Sequence, residues 1–143
     1  MTSIFQRAKY PERVRVGVVD QIVEGEDGNC DSPYKPCKED PEQELCKYKN
    51  QLDVFQVDAP LSIGPVFARH LGHRMYRGEY YYQQCDAHVT FTRGWDVDII
   101  SQQEATNNEM AVLSTLSDPF DLFVIFNFSI ALIMYSLFHW KAT

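Results

Sequence analysis

Asp86 and His88 are the residues of this sequence whose types and spacing best suit metal chemistry. They follow the aromatic run 80–82, and aromatic residues favour a pleated, half-buried strand, so a β-strand is predicted over 80–86. Side chains two residues apart in extended chain point to the same side. A carboxylate and an imidazole placed in this way could hold a divalent ion that also binds a phosphate. Taken alone, the pattern is more typical of a capped strand end that carries a surface histidine.

A second candidate, Arg69, lies on a helix predicted over 65–77, which begins with Pro65 at the position where a missing amide costs nothing. Its buried side is predicted from apolar residues that recur every four positions, namely Phe67, Leu71 and Met75. Arg69 falls on a different face, together with His73 and Arg77. The charge pattern by itself is also consistent with a solvated cationic face.

Helices and strands alternate along the part of the chain that contains these candidates. Strands are predicted near 13–20, 52–58, 80–86 and 110–115, and helices near 65–77 and 94–104. Strands joined through helices form parallel sheets, so the predicted class is α/β. Ligands bind at the carboxyl ends of such strands, which is where the sequence has Asp86.

Composition limits the range of functions. The chain has 143 residues and a net charge of −7, which argues against a nucleic-acid-binding protein because such proteins need a basic face. Three of the four cysteines, Cys30, Cys37 and Cys46, lie in a polar segment over 24–50 that is rich in glycine and proline. Three cysteines without paired spacing make a poor zinc site, so we interpret them as a reduced or partly paired structural feature.

Four short motifs together resemble a known family. They are Gly-Pro-x-x-Ala-Arg ending at Arg69, Gly-Glu-Tyr-Tyr ending at Tyr81, Asp-Ala-His ending at His88, and Gly-Trp-Asp ending at Asp96. As a set they resemble the N-acetylglucosaminyltransferases that modify hydroxyproline on a cytosolic ubiquitin-ligase subunit. More distantly they are similar to polypeptide N-acetylgalactosaminyltransferases. The resemblance extends over roughly residues 4–116, including the segments 7–14 and 16–21, and is specific as a set.

The resemblance implies a GT-A fold that is incomplete at both ends, because nothing in the sequence corresponds to the family's first strand. It implies transfer of N-acetylglucosamine from UDP-GlcNAc to a hydroxyl group of a protein acceptor, with Mn²⁺ or Mg²⁺ held by Asp86 and His88. Arg69, Asp86 and Trp95 would bind the nucleotide sugar, although Trp95 is more often a core residue. Asp96 would cap a helix or line the acceptor side. No catalytic base can be assigned, and the family implies a cytoplasmic location.

The resemblance ends near residue 117, where the composition changes. We therefore divide the chain into a partial transferase domain over 1–117 and an apolar tail over 118–143. Residues 122–138 are 17 in a row without a charge, which predicts one helix over 120–138 with little contact to the rest. The tail could be a membrane-spanning helix in contact with a bilayer, or a non-native read-through. The alternative function is accordingly an inactive, truncated fragment, membrane-attached or not, with at most a binding role.

Overall fold

The computed structural model describes residues 1–86, 89–114 and 130–135, and within this part the chain forms one parallel sheet with helices on both faces. The strands are β1 (Val14–Ile22), β2 (Leu52–Asp58), β3 (Tyr81–Asp86) and β4 (Ile130–Tyr135). Their order across the sheet is β2-β1-β4-β3, and all three pairings are parallel. The helices are α1 (Thr2–Arg7), α2 (Glu44–Lys47), α3 (Pro65–His73) and α4 (Trp95–Ala105). Short 3-10 turns occupy Pro11–Arg13, Lys49–Gln51 and Ala59–Leu61.

Helix α3 covers one face of the sheet. Its residues Ala68 and Gly72 are buried, and Ala68 packs with Val19 of β1 and Val57 of β2. The predicted apolar stripe of Phe67, Leu71 and Met75 lies, partly buried, against this cluster, so the assignment of that face is confirmed. The approach is close at Gly17, where an added Cβ would lie 3.3 Å from the Met75 sulfur.

Helices α1 and α4 cover the opposite face. The core here contains Ile4 and Phe5 of α1 and Trp95 of α4, packed against alternate valines of β1: Val14, Val16 and Val18. The α3 side therefore receives Gly17 and Val19, and the two-residue period of the strand assigns each side chain to one face. Strand β1 is apolar on both sides, as expected of a strand inside a parallel sheet.

The segment between β1 and β2 packs on the α1 side, and its cysteines are partly paired. Cys37 and Cys46 form a disulfide with their Cα atoms 5.6 Å apart, while Cys30 is a free thiol. Tyr48 stacks on Phe5 with 4.6 Å between the ring centroids, and Leu45 is buried. The interpretation of these cysteines as a structural, partly paired feature is confirmed.

The prediction of one helix over 120–138 is wrong for residues 130–135, which form strand β4 between β1 and β3. Lack of contact with the rest of the chain is also wrong for these residues, because Val14–Val19 and Tyr81–Asp86 both pair with them. Central strands of parallel sheets typically have near-continuous apolar sequences, and a single sequence does not distinguish such a strand from an apolar helix. The remaining residues of the predicted helix lie outside the described part.

The predicted strand at 110–115 is also wrong over 110–114, where the chain has no regular structure; Thr115 lies outside the described part. Met110 and Val112 are 85% and 90% exposed, so their apolar character does not mark a buried strand. The other predicted strands and both helices are confirmed within a few residues at each end. Among the described residues, no helix has the length and apolarity needed to cross a membrane.

Candidate functional site

The candidate site lies where β3 ends, on the face covered by α3. Asp86 is the last residue of the strand, and its carboxylate oxygen Oδ1 is 3.8 Å from Nη2 of Arg69 on α3. Both side chains are about two-fifths exposed, at 40% and 41%. The structure therefore brings together two residues predicted from separate motifs, and a ligand approaching from solvent can reach both.

His88, the second predicted metal ligand, lies outside the described residues, as does Ala87. The geometry of the predicted Asp86/His88 pair thus stays a prediction. Within 1–86, 89–114 and 130–135, no cluster of three or more histidine, cysteine, aspartate or glutamate side chains is arranged to hold a metal ion. Among the described residues, Asp86 is the predicted metal ligand whose position is known.

Two buried polar atoms lie at the same end of the sheet. Gln21 is the next-to-last residue of β1 and is 9% exposed. It lies two residues after Val19, so its side chain points to the same α3 face. Its Nε2 has no hydrogen-bond partner among the described residues, and neither has Oγ of Ser62, which follows β2. An unsatisfied buried donor costs about 1–3 kcal/mol, so such atoms mark places where a further partner fits. The signal for Gln21 in the sequence is a polar residue near the end of an apolar strand.

Asp20 and the two free thiols lie on the opposite face, and the structure gives them a structural role. Asp20 is 3% exposed and its Oδ2 accepts a hydrogen bond of 3.1 Å from the Cys30 amide. Burial, followed by the hydrogen bond and charge of Asp20, raises the pKa of Cys30 to about 12. Burial and the Asp86 charge raise the pKa of Cys85 to about 12. Both thiols stay protonated near neutral pH and are therefore poor nucleophiles and poor metal ligands.

Trp95 and Asp96, both matched by the Gly-Trp-Asp motif, hold α4 against α1. Trp95 has no exposed surface; its indole Nε1 donates to the carbonyl of Ile4 at 2.9 Å and its ring lies 4.6 Å from that of Phe91. Asp96 is buried and accepts hydrogen bonds of 2.7 Å from the amides of Lys9 and Tyr10. The prediction that Asp96 caps its helix is wrong, because its carboxylate oxygens accept the amides of the link between α1 and the following 3-10 turn and α4 has no side-chain cap. A place on the acceptor side stays a prediction.

A charged cluster fixes the connection between α3 and β3 at the other end of the strands. Asp53 of β2 accepts hydrogen bonds from Arg15, at 2.9 Å from its Nε, and from Nη2 of Arg77 at 2.7 Å. Glu79 lies 3.8 Å from Arg15. Arg77, predicted on the cationic face of the helix, therefore belongs to this cluster rather than to the site. His73 is exposed and packs edge-on against Tyr82, at 5.3 Å between centroids.

Comparison with protein families identifies the family of this chain. Comparison with curated proteins returns no match, and comparison with solved structures also returns none. The family described as Glycosyltransferase (GlcNAc) matches residues 34–123, which is well over half of the chain and includes Arg69, Asp86 and Trp95. In parallel α/β sheets ligands bind at the carboxyl ends of the strands, which is where Arg69 and Asp86 meet. This chain belongs to the GlcNAc glycosyltransferase family.

Proposed function

We propose that this protein transfers N-acetylglucosamine from UDP-GlcNAc to a hydroxyl group of a protein, using a divalent ion held in part by Asp86. The family supports glycosyl transfer in general, with a sugar donor and an acceptor. The observation that carries the finer proposal is the Arg69–Asp86 pair on one face of the sheet at the end of β3. We propose hydroxyproline as the acceptor and GT-A as the fold class because the motifs that end at Arg69, His88 and Asp96 resemble those of the hydroxyproline-modifying enzymes.

The charges of the pair suit a nucleotide diphosphate bound together with a metal ion. A carboxylate and a guanidinium together are neutral, so the ion pair at rest leaves no net charge at this point. A diphosphate brings negative charge that a divalent ion balances. Arg69 can then turn from Asp86 to a phosphate oxygen, where a guanidinium forms strong charge-assisted hydrogen bonds.

The donor set fits Mn²⁺ or Mg²⁺. Such ions prefer oxygen ligands, and in phosphate-transferring sites one or two carboxylates and the substrate phosphates commonly hold them. Asp86, which is partly exposed at a strand end, provides one such carboxylate. When bound, the ion would neutralise the negative charge that develops on the UDP leaving group. His88 is proposed as the second protein ligand.

The remaining polar atoms at this edge support binding of the uncharged part of the donor. Gln21 Nε2 and Ser62 Oγ are buried on or near the α3 side of the sheet without partners among the described residues. An amide and a hydroxyl match neutral acceptors, such as the carbonyl groups of a pyrimidine, better than they match a phosphate. Trp95 is wholly buried in the core between the sheet and α1, so its proposed contribution to donor binding is to hold α4 in place and not to contact the sugar.

Calorimetric titration of the full chain with UDP-GlcNAc, with and without MnCl₂, tests the proposal. We expect binding that requires the ion. Asp86→Asn and His88→Ala should each weaken the ion-dependent part by about tenfold or more, since each removes a ligand. Arg69→Gln should weaken UDP and UDP-GlcNAc alike and leave uridine unaffected, because Arg69 is proposed to contact phosphate.

Matched control variants separate these roles from a general loss of charge. Asp98→Asn removes an exposed carboxylate from α4, and Arg74→Gln removes an exposed cation at the end of α3. Both should bind the donor as the unchanged protein does. Equal affinities for Asp86→Asn, His88→Ala and the unchanged protein would place the ion elsewhere. Absence of any binding to the full chain would favour the inactive fragment.

A further inference from the structure

Two adjoining cavities lie beside the amino end of β3, away from Asp86. One, of about 390 Å³, is lined by Tyr80, Tyr81 and residues of the carboxyl end of α4 and the turn after it. The other, of about 380 Å³, continues it along 109–113 and shares Tyr80, Tyr81, Gln103 and Glu109 with the first. Each is in the usual size range of small-ligand sites. We call the two together the tyrosine cleft. Since β3 rises about 3.3 Å per residue, its Tyr81 end lies roughly 16 Å from Asp86.

The tyrosine cleft combines an exposed aromatic ring with polar side chains a short distance away on α4 and the turn after it. Tyr80 is 75% exposed, and Tyr81 holds it edge-on with 4.8 Å between ring centroids. Burial, with the charges of Tyr80 and Glu104, raises the pKa of Tyr81. Gln103 Nε2 donates to the Ala111 carbonyl at 3.0 Å and thereby fixes the wall formed by 109–113. The exposed Tyr80 ring therefore has one face of the cleft open to a ligand, beside a wall fixed by Gln103.

The chemistry of the lining selects among ligands. Among the residues that line the two cavities there is no lysine or arginine, whereas Glu104 and Glu109 are both present. Phosphates, nucleic acids and acidic peptides are therefore repelled. Carboxylate, amide and phenol groups can together donate to and accept from a set of hydroxyls. A pyranose ring offers hydroxyls around its rim and an apolar face of C–H groups, which can lie on the Tyr80 ring.

We infer that the tyrosine cleft binds a neutral saccharide, at a site separate from that of the nucleotide sugar. The inference depends on Tyr80, Tyr81 and the polar end of α4, none of which the proposed donor site uses. It therefore holds or fails independently of UDP-GlcNAc binding. A proline-rich peptide is the competing occupant, because such peptides also dock on exposed tyrosines.

Saturation-transfer NMR on the full chain tests the inference, with N,N′-diacetylchitobiose and cellobiose as saccharide probes and a polyproline peptide as the competitor class. We expect transfer to the saccharide C–H protons and none to the peptide. Tyr80→Ala should weaken saccharide binding about tenfold, and Glu104→Gln should weaken it to a smaller extent. Tyr34→Ala is the matched control, because Tyr34 is 95% exposed and lines neither cavity.

Addition of UDP with MnCl₂ distinguishes this site from the donor site. The inference is supported if the saccharide signals persist in the presence of UDP and are lost in Tyr80→Ala. That variant must also unfold at the same urea concentration as the unchanged protein, which shows that it is folded. The inference is overturned if UDP displaces the saccharide, if the peptide binds instead, or if Tyr80→Ala binds as tightly as Tyr34→Ala. It is likewise overturned if neither saccharide gives a signal. The comparison of Tyr80→Ala with Tyr34→Ala is made without a nucleotide, so that outcome does not depend on whether UDP-GlcNAc binds.

Discussion

The role of an aspartate in this protein depends on the groups around its carboxylate, and the sequence motifs do not specify those groups. Asp86 is partly exposed beside a cation at the end of β3, whereas Asp96 is buried and accepts two backbone amides. Both belong to motifs of the same family resemblance. The sequence predicted Asp86 and Arg69 as neighbours of a ligand from those motifs. It could not show that Asp96 holds α1, because the amides it binds are 86 and 87 residues away.

Asp96→Asn tests the structural role of that carboxylate. The change keeps the shape but turns one acceptor into a donor facing a backbone N–H, so stability should fall by about 2 kcal/mol. Urea unfolding followed by circular dichroism measures it. Asp98→Asn, on the exposed side of the same helix, is the control and should leave the midpoint unchanged. A shared midpoint for the two variants would show that the Lys9 and Tyr10 amides do not depend on Asp96.

The two free thiols predict a loss of stability in alkali. The pKa of each is raised from 9.0 to about 12, so the folded state binds the thiol proton more tightly than the unfolded state does. The resulting stability is fully present below pH 9 and is lost as the pH rises towards 12. Urea midpoints measured from pH 7 upwards should fall more steeply for the unchanged protein than for a Cys30→Ala/Cys85→Ala variant. The contribution of Tyr81, whose pKa is also raised, is present in both proteins and cancels in the comparison. Parallel curves would contradict the prediction.

Among helices and strands, the spacing of apolar residues predicted the elements that have one buried face. It failed for the segment whose residues are apolar throughout. Helix α3 was recognised because its apolar residues recur every four positions, and β3 because aromatic residues favour strands. The run 122–138 has no such pattern, and a uniformly apolar segment is consistent with either a central strand or an apolar helix. The pairing partner decides between them, and partners are not visible in a single sequence. The strand prediction at 110–115 failed because Met110 and Val112 alternate as in a strand but are exposed to solvent.

The Cys37–Cys46 disulfide should stabilise the segment that packs against α1. It links residues nine apart, and closing a loop of this size contributes about 2.5 kcal/mol by the chain-entropy estimate. A Cys37→Ser/Cys46→Ser variant should have a free energy of unfolding lower by that amount and should therefore unfold at a lower urea concentration. Dithiothreitol should leave its midpoint unchanged and should lower the midpoint of the unchanged protein to the same value. Such bonds persist in oxidising compartments. An unchanged protein that ignores the reductant would show the bridge to be absent.

For the whole molecule, removal of residues 118–143 is the decisive test of strand β4. Without Ile130–Tyr135, β1 and β3 lose their common neighbour and each presents an unpaired edge. The truncated chain should aggregate or lose its cooperative unfolding, whereas the full chain stays soluble. Gel filtration and urea unfolding of the two chains measure this. A truncated chain that folds and remains monomeric would return the domain boundary to residue 117.

The strand order also determines the sequence in which the strands can pair while the chain is being synthesised. Strands β1 and β2 are neighbours and can pair as soon as residue 58 has left the ribosome. Strand β3 has no contact in the sheet with either of them, because β4 separates it from β1. The Arg69–Asp86 end of the site consequently has to wait, with its strand unpaired, until residues 130–135 have been made. During this interval the aromatic segment 80–82 is exposed to the cell, and it is where we expect chaperones to bind the nascent chain.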